Sequence, residues 1–169
     1  MSALTEPIES TLLVDIAAGL AAAVPLWQQV VVHDAVERRP VRLLATDRYE
    51  VWVIGWLPGQ RAELHDHGDA VGVVAVVEGV LTEDVLEHRG LRRDELHVGE
   101  LLDLPARIVH EISNSSDAPA TSIHVYSPPL RTMTRYDHAT LAPVVTEIVR
   151  WEQPLLADSV ARHPSVADG

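Results

Sequence analysis

The sequence predicts a mainly β protein, a small barrel or two-sheet sandwich with helices packed at its N-terminal side. Three observations carry this. Val, Leu, Ile and Ala must build the core because Phe is absent and aromatics are only 4% of the chain, and Val-rich runs favour strands. Short apolar runs recur between Gly, Pro and acidic turn signals from about residue 41 onward. Before that point the apolar residues follow helical spacing instead.

Taken in order, Leu12, Leu13, Ile16, Leu20, Val24 and Trp27 fall near i, i+3, i+4 spacing, with Glu9, Ser10 and Thr11 as N-cap candidates. Pro25 interrupts this helical segment of about 10–36, so two helices or a kink are expected. Arg38-Arg39-Pro40 ends it. Strands are expected at 42–45 and at 49–56, the second closed by Pro58-Gly59. Residues 72–77 are nearly all apolar, as in a strand covered on both faces. Glu78-Gly79 marks a turn, and 80–86 runs back. Further strands are expected at 96–104, 109–112 and 120–126. Residues 140–151 read as a short C-terminal helix with Pro143 near its start, where Pro is tolerated. The tail from about 153 to 169 reads as extended or flexible. A length of 169 residues suits one domain, with the barrel over about 41–136.

Composition narrows the function. The net charge of −12 argues against nucleic acid and anionic membrane surfaces. All 13 basic residues are Arg, which removes Schiff-base chemistry. With no Cys there is no disulfide, thiolate ligand or cysteine nucleophile, leaving His and carboxylates as metal ligands. No apolar run reaches the length of a membrane span, and Glu6 and Glu9 replace the basic start of a signal peptide. A cytoplasmic protein, monomeric or a weak homo-oligomer, is the expectation.

Two blocks carry chemistry. The first is Gly59-x5-His65-x-His67, and the second is Gly99-x5-Pro105-x4-His110-x3-Asn114. On a strand, His65 and His67 share one face and Asp66 takes the other. His110 from a neighbouring strand would complete a three-imidazole metal site. Three neutral ligands leave a divalent ion its full charge and open positions. A third group, Ser122, His124 and Tyr126, lies at i, i+2 and i+4. On a strand these share a face, with Ile123 and Val125 opposite, and their spacing allows a hydrogen-bond chain. His33, His88, His97, His138 and His163 lack such context and read as surface residues.

The two-block layout resembles the cupin superfamily, whose first motif normally adds a Glu three or four residues after the second His. Those positions, around Val71, hold no acid here, and Asp69 comes too early. Three-His cupins with this local sequence resemble the cysteine dioxygenase family. The resemblance rests on Trp56-x-Pro58-Gly59-x5-His65-Asp66-His67-Gly68, on Glu78-Gly79, on His110, and on Ser122-Ile123-His124-Val125-Tyr126-Ser127-Pro128-Pro129. It spans roughly residues 42–136.

The resemblance implies a cupin barrel and an iron(II) thiol dioxygenase that converts L-cysteine and dioxygen to cysteine sulfinic acid. His65, His67 and His110 would hold iron. Tyr126 would reach over it, oriented by His124 and Ser122. Arg42 would bind the substrate carboxylate, with Arg48 as competitor. Gly72 stands where some members carry a Cys cross-linked to the Tyr, so that cross-link is absent, as in bacterial members. A cis bond at Ser127-Pro128 is implied too. The alternatives are another small thiol such as 3-mercaptopropionate, a zinc lyase or hydrolase using metal-bound hydroxide, or a ligand-binding sensor.

Overall fold

Eleven strands and two helices make up residues 6–149, the part of the chain that the computed structural model describes. Helices α1 (Ser10–Ala22) and α2 (Val24–Trp27) come first. They are followed by β1 (Val41–Ala45), β2 (Glu50–Trp56), β3 (Arg61–Asp66), β4 (Val71–Glu78), β5 (Val80–Glu87) and β6 (Gly90–His97). Then come β7 (Leu101–Leu104), β8 (His110–Ser113), β9 (Ala120–Ser127), β10 (Thr132–Tyr136) and β11 (Pro143–Ile148). All the strand pairings are antiparallel. A five-stranded sheet has the order β1-β2-β9-β4-β7, and a six-stranded sheet the order β11-β10-β3-β8-β5-β6.

The five-stranded sheet is covered on both faces, which explains its nearly continuous apolar strands. Val51, Val53, Val73, Ala75, Ile123 and Val125 cluster with Leu13 and Ala17 of α1. The alternating residues Trp52, Ile54, Trp56, Val74, Val76 and Tyr126 cluster with Leu81, Leu96 and Ile112 of the six-stranded sheet. The period-2 rule thus divides β2, β4 and β9 between a helix-facing core and an inter-sheet core.

Pro25 does separate two helices: it sits in the first turn of α2, where its missing N–H costs nothing. Glu9 is the N-cap residue of α1, without a side-chain capping bond. The helical reading to residue 36 is corrected, because no helix continues beyond Trp27. Val30, Val31 and Val32 are β-branched, and tertiary bonds pin the loop after them. His33 Nε2 lies 3.0 Å from the Ala120 carbonyl, and Gln60 Nε2 donates to the Asp34 carbonyl at 2.7 Å. His33 is therefore half-buried and bonded, unlike the free surface residue expected. Gly55 lets this segment approach: a Cβ there would meet the Val32 carbonyl oxygen at 2.4 Å.

Two other expectations change. The strand expected over 96–104 is the end of β6 and all of β7, divided by a turn at Gly99 with φ +89°. The C-terminal helix expected at 140–151 is strand β11 as far as Ile148, and residues 150–151 lie outside the described part. Thr132 pairs with Ile148, Thr134 with Thr146 and Arg135 with Val145. Val144, Val145, Thr146 and Ile148 are β-branched and suit a pleated ribbon better than a helix. The tail expected from 153 also lies outside the described residues. Among the described residues no helix is long and apolar enough to cross a membrane.

Candidate metal centre

His65 ends β3 next to Asp66, His67 follows directly after that strand, and His110 opens β8. His65 and His110 are cross-strand partners in the β3–β8 pairing. Their ring centroids stand 4.9 Å apart, and that of His67 is 4.7 Å from His65 and 5.2 Å from His110. One potential ligand nitrogen from each lies within 4.8 Å of the others, and all three residues are buried. Asp66 takes the opposite direction, as its place in the strand requires. It accepts the Gly68 N–H at 2.8 Å and the Tyr136 hydroxyl at 2.7 Å, which fixes the turn that carries His67.

Each anchored ring is held by the nitrogen that faces away from the cluster. His65 Nδ1 donates to the Glu63 carbonyl at 2.6 Å, and His110 Nδ1 donates to Glu83 Oε1 at 2.8 Å. Such outer partners fix the tautomer and turn the other nitrogen inward. His65 Nε2 and His67 Nε2 come within 3.1 Å of each other, about the separation of neighbouring ligands on one ion at roughly 2.0–2.1 Å. His110 Nε2 is buried with no hydrogen-bond partner among the described residues. An orphaned buried acceptor is rare in a folded protein and calls for an unseen partner. Burial lowers the His65 pKa to about 3, helped by the neighbouring His110, and lowers that of His67 well below the usual value. The His65 and His67 rings are therefore neutral, the form that binds metal. Among the described residues no carboxylate joins the three. The donor set fits a divalent transition metal.

The second constellation faces the first across the core. Ser122, His124 and Tyr126 lie on the inward face of β9. Ser122 Oγ is 2.8 Å from His124 Nε2, and His124 Nδ1 is 3.0 Å from Tyr126 Oη. Trp56 of β2 extends this chain, donating its indole N–H to Ser122 Oγ at 2.8 Å. The Tyr126 ring lies 4.6 Å from that of His67. Burial pushes the Tyr126 phenol above its ordinary value and His124 well below its own, so both are neutral. Gly72 pairs with Tyr126, and a Cβ there would stand 2.7 Å from Tyr126 Cδ1. The absent side chain thus gives the phenol ring its place. The Ser127-Pro128 bond is cis.

The arginines fall differently from the sequence expectation. Arg42 of β1 lies 3.5 Å from Glu50 Oε2 and over the Trp52 ring at 5.6 Å, and it does not line the pocket. Arg48 is exposed in the turn before β2. The pocket that contains His65, His67, His110 and Tyr126 is lined instead by Arg38 and Arg135. Arg135 reaches Glu147 at 3.5 Å. Arg38 stacks on Trp56 at 4.8 Å, and its Nε is buried without a hydrogen-bond partner among the described residues. Sequence reading missed Arg38 because it belongs to an aperiodic loop placed by tertiary bonds. It missed Glu83 because 27 positions separate it from His110.

Residues 5–139, well over half the chain, match the family model described as cysteine dioxygenase type I. Solved structures similar to this chain include a protein from Thermus thermophilus, 22% identical with a TM-score of 0.55, covering 60% of this chain and 93% of that one. Another is a protein with a double-stranded β-helix domain from Klebsiella pneumoniae, 22% identical with a TM-score of 0.55, covering 60% and 85%. A cupin superfamily protein from Desulfitobacterium hafniense is 11% identical with a TM-score of 0.52, covering 60% and 87%. These likenesses establish the cupin fold.

Proposed function

The chain belongs to the cysteine dioxygenase type I family, and from that premise we propose that it is an iron(II) thiol dioxygenase oxidising L-cysteine to cysteine sulfinic acid. Both atoms of dioxygen end on the sulfur, so the thiol and one dioxygen balance the sulfinic acid without another reductant. The observation that supports this reading most is the acid-free trio of imidazoles facing a buried phenol relay in one pocket.

His65, His67 and His110 hold the ion. When bound, iron(II) supplies a site for the substrate thiolate and the redox chemistry of dioxygen. The chain's own groups do the rest. Tyr126, neutral because it is buried, donates a hydrogen bond into the pocket and is held there by His124 and Ser122. Trp52, Ile54, Leu130 and Met133 wall the pocket with apolar surface and limit water around the reacting sulfur. The substrate carboxylate falls to Arg38 in our reading. Arg42 is the sequence candidate, but it already faces the Glu50 carboxylate. A guanidinium with an unused buried donor suits a carboxylate.

Oxygen uptake by the iron(II)-loaded protein tests the proposal. We expect one dioxygen consumed per L-cysteine, with sulfinate as product. Uptake with 3-mercaptopropionate but not with cysteine would change the substrate. No uptake with any small thiol would overturn the dioxygenase reading.

A further inference from the structure

Trp56 is fully buried, and its indole nitrogen is only ever a donor. It donates to Ser122 Oγ at 2.8 Å. Ser122, also fully buried, owns a single hydroxyl proton, and its other neighbour is His124 Nε2 at 2.8 Å. If His124 donated to Ser122, two N–H groups would meet on one oxygen. The serine proton would then have no acceptor in the relay, on a side chain with no exposed surface. That arrangement carries the full desolvation penalty of the hydroxyl. The opposite direction satisfies Trp56, Ser122 and His124, and the one proton left over is that of Tyr126, which lines the pocket.

We propose that Trp56 is a positioning residue that fixes the direction of the whole relay. The indole donates to Ser122, Ser122 donates to His124 Nε2, and the ring proton of His124 is forced onto Nδ1. Nδ1–H then donates to Tyr126 Oη, 3.0 Å away. The phenol already accepts from within the relay, so its own proton leads out of the relay and into the pocket. One donor-only side chain on β2 thereby makes Tyr126 a hydrogen-bond donor to the substrate side. Arg38, stacked on the same indole, is also a pure donor. Together they suit an anionic acceptor in the pocket.

This deepens the relay assigned above. It is tested on metal-free protein without thiol or oxygen, so its failure and that of the dioxygenase reading are distinguishable. Long-range proton–nitrogen NMR on the full-length 15N-labelled protein near neutral pH reads the tautomer directly, with His124→Gln identifying the His124 signals. The expected pattern is a single tautomer with the proton on Nδ1. A proton on Nε2, or an even mixture, overturns the proposal. In Trp56→Phe the indole donor is gone and the smaller ring leaves room for a water beside Ser122 Oγ to accept the serine proton, so the pure Nδ1–H pattern should become a mixture; an unchanged pattern in folded W56F overturns the role of the indole. If W56F does not fold, Ser122→Ala cuts the same link. Loss of the Nδ1–H preference then supports the proposal, and its retention overturns it.

Discussion

The inner faces of the two sheets differ in how their polar atoms are satisfied. On the five-stranded sheet, Trp56, Ser122, His124 and Tyr126 bond in an unbroken line, each within 3.0 Å of the next. On the six-stranded sheet, His65 and His110 are anchored from behind, and His110 Nε2 bonds to nothing among the described residues. Both sets are buried. A buried group that bonds inside the protein is thereby placed, whereas one left unbonded needs a partner from outside. The relay is a rigid instrument, and the trio is a socket.

Breaking the socket should have the largest effect. His110→Ala should abolish metal retention and oxygen uptake together, seen by metal analysis of the purified protein. Next, Tyr126→Phe should keep its metal yet lose roughly 100-fold or more in kcat/KM, the usual scale of a positioned proton donor. Glu83→Gln keeps the shape but removes the charge behind His110. Its metal affinity should fall about 10–100-fold in a competitive chelator titration, with the relay untouched.

Smaller effects separate the arginines. Arg38→Gln should raise the KM for cysteine roughly 10-fold or more, the scale of one charge-assisted hydrogen bond, while kcat changes less. Arg42→Gln should leave KM unchanged and lower thermal stability, because it weakens the contact with buried Glu50. Equal rises in KM for both variants would contradict this division.

The gentlest test is pH. His65, His67 and His124 are all held below the ordinary histidine value, His65 at about 3. Between pH 6.5 and 3 the unfolded chain therefore binds protons that the folded metal-free protein refuses. Its stability should be fully present above pH 6.5 and should fall on acidification. Each histidine contributes at most about 1.4 kcal/mol per pH unit. Denaturant melts of the metal-free protein across that range check the sign.

Much of the architecture was legible in the chain because strand periodicity is local. The alternation in β2 and β9 divides inward from outward residues without any knowledge of partners. The His65-x-His67 spacing needs only a strand to bring both rings to one side. What was not legible depends on contacts distant in sequence. Arg38 enters the pocket because His33 and Asp34 tie its loop to the sheets, and no local pattern announces that. The Glu83–His110 pair and the Trp56–Ser122 bond join positions 27 and 66 residues apart. The sequence alone reads β11 as a helix because Pro143 suits the start of either element. Pairing with β10, together with its β-branched residues, decided the outcome.

The most direct test is a crystal structure of the iron(II)-loaded protein grown without oxygen and soaked with L-cysteine. The account predicts one ion at bonding distance from His65, His67 and His110 and from the cysteine sulfur, with the substrate carboxylate on Arg38. An ion held elsewhere, or a protein carboxylate completing its ligands, would contradict it.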